Sequence, residues 1–128
     1  EAEKLELKAY IEFFPGAYDD ASIKEHFMKA KAYVSPYNVG LAVVNSFAYG
    51  VPVITCQEPQ VGPEFHYLNE KNSFIIEDIA MLGTKLNEVS SLDSKAISEK
   101  IYQYYESDLT PEKMYHEFYN AIKSLKDE

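Results

Sequence analysis

Ser35-Pro36-Tyr37-Asn38-Val39-Gly40-Leu41 is the stretch that decides the fold, because it joins an apolar strand to a helix through a tight turn. The helix that follows has apolar residues at helical spacing from Leu41 to Tyr49. It is closed by Gly50, the residue type best suited to the left-handed position after a helix. Val51 to Thr55 is a second short apolar run. The stretch therefore predicts a strand, a helix and a second strand, the repeating unit of a parallel sheet.

The same alternation extends to both sides of this unit. Short apolar runs bounded by turn residues predict four strands, at Tyr10 to Phe14, Ala32 to Ser35, Val51 to Thr55 and Ser73 to Ile76. Helical periodicity lies between them, at Ala21 to Lys31 behind an Asp19 or Asp20 cap, at Leu41 to Tyr49, and in a short turn near Pro63 to Leu68. Strands that are apolar almost throughout are typical of parallel sheets with helices on both faces. The pattern predicts an α/β fold with a doubly wound parallel sheet.

The chain beyond Ile76 is predicted to be helical. Three helices are expected there, at Ile79 to Val89, at Asp93 to Tyr105, and after a Thr110 cap with Pro111 in the first turn. Glu1 to Leu7 has the pattern of a helix end. A sheet of four strands is also small, because sheets usually have about five or six strands. We therefore expect one partial domain over residues 1–128, truncated at its N-terminus and ending in a helical segment at about 78–128.

Composition narrows the class of protein. The 128 residues are 46% hydrophobic, enough for one compact core. The net charge of -9 repels the phosphates of nucleic acids. Cys56 is the single cysteine, and no apolar run reaches the roughly 20 residues of a membrane span. We expect a cytoplasmic domain with no nucleic-acid partner and no transmembrane segment, which in the intact protein could lie peripherally at the inner membrane.

Gly40 is placed where the carboxyl end of a strand meets the start of a helix. Ligands collect at that edge of an open parallel sheet, and a helix start offers unpaired N–H groups to an anion. Because Gly40 has no Cβ, a phosphate can approach the backbone of Gly40, Leu41 and Ala42. The alternative is that Gly40 only closes a tight turn. Neither G-x-G-x-x-G nor G-x-x-x-x-G-K-[ST] occurs, which excludes the usual dinucleotide and P-loop fingerprints.

The run SPYNVGLAVVNSFAYGVPVIT, followed by GPEF and then KNSFII, resembles the C-terminal domain of retaining family-4 (group 1) glycosyltransferases of the GT-B fold. The likeness is to the subgroup of bacterial capsule and O-antigen gene clusters, and IEFFPGAYDD extends it over roughly residues 1–90. It implies a Rossmann-like half that binds a nucleoside-diphosphate sugar. The intact enzyme would transfer the sugar with retention in surface polysaccharide biosynthesis. Since the N-terminal acceptor domain would be missing, the chain alone is expected to be inactive.

The resemblance implies roles for residues around the turn. Gly40, Leu41 and Ala42 would bind the donor diphosphate, and Tyr37, Asn38 and Asn45 would bind the sugar and the ribose. The family generally carries two glutamates eight positions apart, where this chain has Tyr37 and Asn45. Asn45 can still form hydrogen bonds to ribose, whereas Tyr37 cannot replace a carboxylate. The alternatives are that Asn38 caps the turn with its side chain and that Asn45 is a solvated polar position.

Two further segments complete the predicted donor site. Phe14, Pro15 and Gly16 would lie under the base, or would form an ordinary turn after a strand. Glu64 would contact the donor, or would only complement the dipole of a short helix. No catalytic residue is identified, and no cofactor is expected beyond the nucleotide-sugar co-substrate. No metal site is expected, because no cysteine or carboxylate stands at metal spacing from the histidines His26, His66 and His116.

A non-catalytic α/β binding module, such as a receiver-like signalling domain, is the alternative to a glycosyltransferase half. Small size, acidity and the paired Asp19 and Asp20 favour it. A receiver also needs an aspartate at the end of a central strand and a lysine at the end of a later one. The corresponding predicted strands end near Ser35 and Thr55, so the glycosyltransferase interpretation is preferred.

Overall fold

The computed structural model describes residues 4, 6–16, 19–57 and 62–125. In these ranges the chain forms three strands, five α-helices and two short 3-10 helices. Their order is α1 (Asp20–Lys29), β1 (Tyr33–Val34), α2 (Ala42–Ala48), β2 (Val53–Cys56), the 3-10 helix η1 (Pro63–Tyr67), β3 (Ser73–Ile76), the 3-10 helix η2 (Ile79–Met81), α3 (Leu82–Ser91), α4 (Ser94–Asp108) and α5 (Pro111–Ser124).

The three strands form one parallel sheet in the order β1-β2-β3. Tyr33 is opposite Val53, and Val53 is in turn opposite Ser73. The backbone N–H of Tyr33 donates to Pro52 O at 2.9 Å, and that of Ser35 to Ile54 O at 3.0 Å. The predicted α/β class and parallel pairing are therefore confirmed. All three carboxyl ends meet at one edge of the sheet.

The fourth predicted strand, Tyr10 to Phe14, is wrong. Residues 11–16 have no regular secondary structure, and Tyr10 lies in a turn in which its N–H donates to Leu7 O at 2.9 Å. Tyr10 and Phe13 are 85% and 84% exposed, whereas a strand in a covered parallel sheet is buried. β1, an edge strand of the sheet, has only two residues, so it offers little backbone for pairing with a fourth strand. An apolar run without such a partner edge does not form a strand.

The predicted helix end at Glu1 to Leu7 is also not found in the part of it that the structure describes. Residues 4 and 6 are turn residues and residue 7 is irregular, while residues 1–3 and 5 lie outside the described residues. Glu6 has a φ of 55°, in the left-handed region, which cannot continue a right-handed helix.

Helix caps follow the sequence closely. Asp19 caps α1, because one carboxylate oxygen accepts the Ser22 N–H at 2.9 Å and the other accepts the Ser22 hydroxyl at 2.8 Å. These hydrogen bonds hold the pKa of Asp19 below its usual value. Thr110 caps α5 and Pro111 occupies its first turn, as predicted. The helices expected after β3 are present, and among the described residues none is both long and apolar enough to cross a bilayer.

Two apolar clusters hold helices against opposite faces of the sheet, since neighbouring residues of a strand point to opposite sides. On one side Val53 packs with residues of the α2 and α4 region, namely Val39, Val43, Phe47, Ile101 and Leu109. On the other side Ile54 and Cys56 pack with Ile76 and with Val89 of α3. That this small sheet is part of a larger, doubly wound half stays a prediction.

The end of α2 is fixed against α4 by a close contact at Gly50. Gly50 has a φ of 68° and its N–H donates to Phe47 O at 3.0 Å, the left-handed helix end that the sequence predicts. The buried Ser46 hydroxyl donates to Val51 O at 2.6 Å and secures the turn into β2. These contacts set the direction of α2 and so the place of its first turn at the carboxyl edge of the sheet.

Candidate functional site

The loop that leaves β1 is held in place by hydrogen bonds to itself and to β2. The Ser35 hydroxyl donates to Asn38 O at 2.6 Å, within the loop. The Thr55 hydroxyl donates to Ser35 O at 2.7 Å, and the Cys56 N–H donates to Pro36 O at 3.2 Å. The segment 35–38 is therefore ordered by β2 rather than only by its own sequence, and it presents the start of α2 at the carboxyl edge.

The first turn of α2 leaves backbone donors open. Val43 N–H bonds to Gly40 O and Val44 N–H bonds to Leu41 O, both at 3.0 Å, so the helix begins with a tight turn. No side chain caps this end. Among the described residues, the N–H groups of Gly40, Leu41 and Ala42 have no hydrogen-bond acceptor. Three adjacent donors at a helix start are suited to the oxygens of an anion.

Space in front of this turn is also open. A Cβ added to Gly40 would meet no atom within 4 Å, and the Leu41 side chain is 73% exposed. Tyr37 is 61% exposed. Asn45 is exposed and stands four residues after Leu41, which puts both on the same side of α2. The residues predicted to bind diphosphate, sugar and ribose therefore lie on one accessible stretch of backbone and helix.

The segment that begins at Gly62 packs closely against the loop that precedes α2. A Cβ added to Gly62 would stand 2.6 Å from Val39 O, 2.9 Å from Glu64 Oε2 and 3.2 Å from Asn38 Oδ1. The polar side-chain atoms of Asn38 and Glu64 therefore lie within 3.2 Å of one point. Sequence reasoning missed the part played by Gly62. The signal that could have found it is its place directly before Pro63 and Glu64, since a glycine ahead of such a turn permits close approach of another backbone.

The predicted base-binding loop is not joined to this cluster by any described contact. The Phe14 ring meets the His26 ring edge-on, with the ring centroids 4.5 Å apart. Both rings line a cavity of about 340 Å³, together with Glu12 and Lys29. This part of α1 leads into the start of β1, on the amino-terminal side of the sheet. Pro15 and Gly16 are exposed, and the next two residues lie outside the described ones.

Among the residues that the structure describes, the site holds few ionisable side chains. Within the described ranges, no group of three or more histidines, cysteines or carboxylates is placed to hold a metal ion. Glu64 is the carboxylate next to the turn, and it is half-buried. The arrangement offers backbone donors, a tyrosine, two asparagine amides and one carboxylate, which suits binding of a polar ligand rather than nucleophilic catalysis.

Comparison with protein-family models gives no matching family, and comparison with curated proteins and with solved structures gives no match either.

We expect Gly62→Ala to destabilise the fold by about 1–3 kcal/mol, the usual range for overpacking, because its methyl group would collide with the backbone oxygen of Val39. Gly40→Ala is the matched control, since its methyl group would enter open space, and its effect should stay within about 1 kcal/mol. Urea unfolding of the two variants and the unchanged protein measures both. Equal effects of the two substitutions would mean that Gly62 is not packed against Val39.

Proposed function

We propose that this chain is the nucleotide-sugar-binding part of a retaining glycosyltransferase of the GT-B type that acts in surface polysaccharide biosynthesis. One observation carries the proposal. The N-V-G-L turn and the G-P-E-F segment, which are separate motifs of the resemblance, meet at the carboxyl edge of the sheet beside the uncapped start of α2. Ligands of open parallel sheets bind at this edge.

The donor diphosphate is the group best matched to the start of α2. The N–H groups of Gly40, Leu41 and Ala42 supply fixed dipoles, which attract an anion even on a chain with a net charge of -9. In the intact enzyme the same groups stabilise the diphosphate as it leaves the sugar. Retention by front-face attack, which the resemblance implies, needs no protein nucleophile.

The polar side chains around this turn bind the ribose and the sugar of the donor. Asn45, one turn further along α2, hydrogen-bonds to the ribose, and Tyr37 with Asn38 contacts the sugar. Glu64 adds an acceptor for a sugar hydroxyl, because its Oε2 and the Asn38 Oδ1 lie 2.9 Å and 3.2 Å from one point, the place that a Cβ on Gly62 would take. Recognition of the base by Phe14 to Gly16 has no support in the contacts of Phe14, so the base-binding residues remain unassigned.

The role of Asp19 as a helix cap disfavours the receiver-like alternative. Both of its carboxylate oxygens accept hydrogen bonds from Ser22 at the start of α1, so Asp19 acts as a helix cap. β1 and β2 end in Val34 and Cys56, and no aspartate follows either strand directly.

Calorimetric titration of the chain with UDP, GDP and ADP tests the proposal. We expect binding of at least one diphosphate, weakened about 10- to 100-fold by Gly40→Val. A β-branched side chain in the open space at Gly40 blocks the approach of phosphate, and loss of one charge-assisted bond costs about 1.5–3 kcal/mol. Asn45→Ala removes one or two neutral bonds to ribose, so it should weaken binding about tenfold or less.

Circular dichroism of Gly40→Val must match that of the unchanged protein, because an unfolded variant would imitate a binding defect. Met28→Ala, at an exposed position of α1, is the control for a surface change away from the site. A stronger effect of Asn45→Ala than of Gly40→Val would contradict the proposed position of the diphosphate. Uptake of a phosphoryl group from acetyl phosphate, without binding of any diphosphate, would favour the receiver-like alternative instead.

A further inference from the structure

Two hydroxyl groups tie the turn at Tyr37 and Asn38 to the sheet. The Ser35 hydroxyl donates to Asn38 O at 2.6 Å, so it closes the turn from one end to the other. The Thr55 hydroxyl donates to Ser35 O at 2.7 Å from the neighbouring strand. We call these two hydrogen bonds, from Thr55 to Ser35 and from Ser35 to Asn38, the hydroxyl bridge. The bridge joins β2 to the far end of the turn.

Thr55 is a polar residue in a strand that is otherwise apolar. β2 is buried throughout, and its other residues are Val53, Ile54 and Cys56. Thr55 is 1% exposed, and burial of a hydroxyl is costly unless it forms a hydrogen bond. Valine has nearly the same shape and suits a strand as well, without this cost. The hydrogen bond to Ser35 O offsets the cost, since Cys56 O is a more distant acceptor at 3.4 Å.

The side chains on the turn depend on its backbone for their position. Tyr37 is 61% exposed, and Asn38 is exposed as well. Within the part of the chain that the structure describes, neither side chain forms a hydrogen bond. An exposed side chain without a fixed partner reaches only the space that its backbone allows. The hydroxyl bridge therefore determines where Tyr37 and Asn38 can meet a ligand.

The backbone at the start of α2 depends less on the bridge. Val39, which lies between the turn and α2, is fully buried in one apolar cluster with Val43 and Phe47. The Val43 N–H donates to Gly40 O at 3.0 Å, so the first helical turn is held by its own hydrogen bond. Loss of the bridge should therefore loosen the turn at Tyr37 and leave the Gly40 backbone in place.

We propose that Ser35 and Thr55 are positioning residues, whose hydroxyls hold Tyr37 and Asn38 where the sugar of the donor binds. The inference rests on the proposed function, in which Tyr37 and Asn38 contact the sugar and the Gly40 backbone binds the diphosphate. Each hydroxyl donates to a backbone oxygen, so it acts through the turn. A turn that is ordered before binding loses less conformational freedom when the sugar binds. The bridge thus strengthens binding of the sugar-bearing donor more than that of the diphosphate product.

Backbone order parameters from ¹⁵N relaxation test the bridge in the chain without a ligand. In Ser35→Ala we expect the order parameters of Tyr37 and Asn38 to fall from about 0.85 towards about 0.6, the values of rigid and flexible backbone. Ser35→Thr keeps the hydroxyl and should restore them. Ser73→Ala is the matched control and should leave the turn unchanged. Ser73 is also buried and donates to a backbone oxygen, Asn69 O at 2.8 Å, but it begins β3 at the opposite edge of the sheet.

Thr55→Val removes the other hydrogen bond of the bridge. Its effect on the order parameters should be smaller, because the Ser35 N–H still donates to Ile54 O and Pro36 O still accepts the Cys56 N–H. Thr55→Ser keeps the hydroxyl and should behave like the unchanged protein. Since the two hydrogen bonds act as one unit, Ser35→Ala combined with Thr55→Val should loosen the turn no more than Ser35→Ala alone.

Calorimetric titration separates the sugar from the diphosphate. UDP-glucose, GDP-mannose and ADP-glucose are compared with UDP, GDP and ADP. We expect Ser35→Ala to weaken binding of the nucleotide sugar about 5- to 10-fold and that of the matching diphosphate less than about 2-fold. Thr55→Val should weaken binding of the nucleotide sugar about 2- to 5-fold. Ser73→Ala should change neither affinity, although it lowers the stability of the fold.

Unchanged order parameters in a folded Ser35→Ala variant would overturn the positioning role, whether or not the chain binds a nucleotide. Equal weakening of the nucleotide sugar and the diphosphate would also overturn it, because the turn would then have no particular effect on the sugar. A different result separates the two proposals. If the unchanged chain bound none of the six nucleotides while Ser35→Ala loosened the turn, the proposed function and the sugar assignment would fail, and the hold of the bridge on the turn would stand.

Discussion

Phe47→Ala is expected to lower the free energy of unfolding by about 3–5 kcal/mol, the usual cost of removing a fully buried phenylalanine ring. Phe47 lies in α2, has no exposed surface and packs in one cluster with Val53 of β2 and Ile101 of α4. Its ring meets the Tyr104 ring edge-on with centroids 6.1 Å apart. The loss combines the ring's transfer from water with the cavity left behind, because the sheet and α4 cannot both move in to fill it.

Urea unfolding followed by circular dichroism measures this loss. Phe13→Ala is the matched control, since it makes the same chemical change at a position that is 84% exposed, and it should alter the stability by no more than about 0.5 kcal/mol. Small domains have only about 5–15 kcal/mol of stability, so Phe47→Ala could leave much of the protein unfolded. If both variants lost equal stability, Phe47 would not be in the main core.

The parallel sheet and the helix caps could be predicted from the sequence because their signals are local. Short apolar runs mark β2 and β3 to within two residues, and Asp19 and Thr110 stand directly before the helices that they cap. Each of these features depends on residues within one turn or one strand. The fold class follows from their alternation along the chain.

The strand wrongly expected at Tyr10 to Phe14 shows where local signals fail. Its side chains have the composition of a strand, but a strand also needs a neighbouring edge with free backbone groups. The edge strand β1 has only two residues, and no local pattern in residues 10–14 encodes which edge of the sheet they would meet. Pairing between distant segments is decided by the whole fold, so the apolar run alone was insufficient.

Some features of the candidate site have a local sequence signal, and others depend on contacts between distant segments. The open first turn of α2 at Gly40 could be predicted, because it depends on one strand, one turn and one helix. The approach of Gly62 to Val39 was missed, since it joins a loop after β2 to a loop after β1, has no periodic signature and is signalled only by the place of Gly62 before Pro63 and Glu64. The contact of Phe14 with His26 is of the same kind. Long-range contacts determine which predicted ligand-binding segments share a surface.

The position of the site depends on the junction between α2 and α4, and Gly50 is the centre of that junction. A Cβ added to Gly50 would stand 2.7 Å from the backbone oxygen of Ser98 and 2.9 Å from its Cβ. Its φ of 68° is a second obstacle, because an L-residue in the left-handed region costs about 1–2 kcal/mol. Relief of the collision would require α4, in which Ser98 lies, and the end of α2 to move apart. A change at Gly50 would therefore also displace the helix whose first turn carries the candidate site.

Gly50→Ala is accordingly expected to destabilise the protein by about 2–5 kcal/mol, the sum of left-handed strain and overpacking against Ser98. Gly83→Ala is the matched control with the opposite sign. Gly83 lies in α3, and a Cβ there would meet no atom within 4 Å, so alanine should stabilise the helix by about 0.5–1 kcal/mol. Parallel urea titrations of the two variants test both signs. A Gly50→Ala variant as stable as the unchanged protein would show that α4 does not pack closely against the end of α2, and the fixed direction of α2 at the candidate site would lose its structural basis.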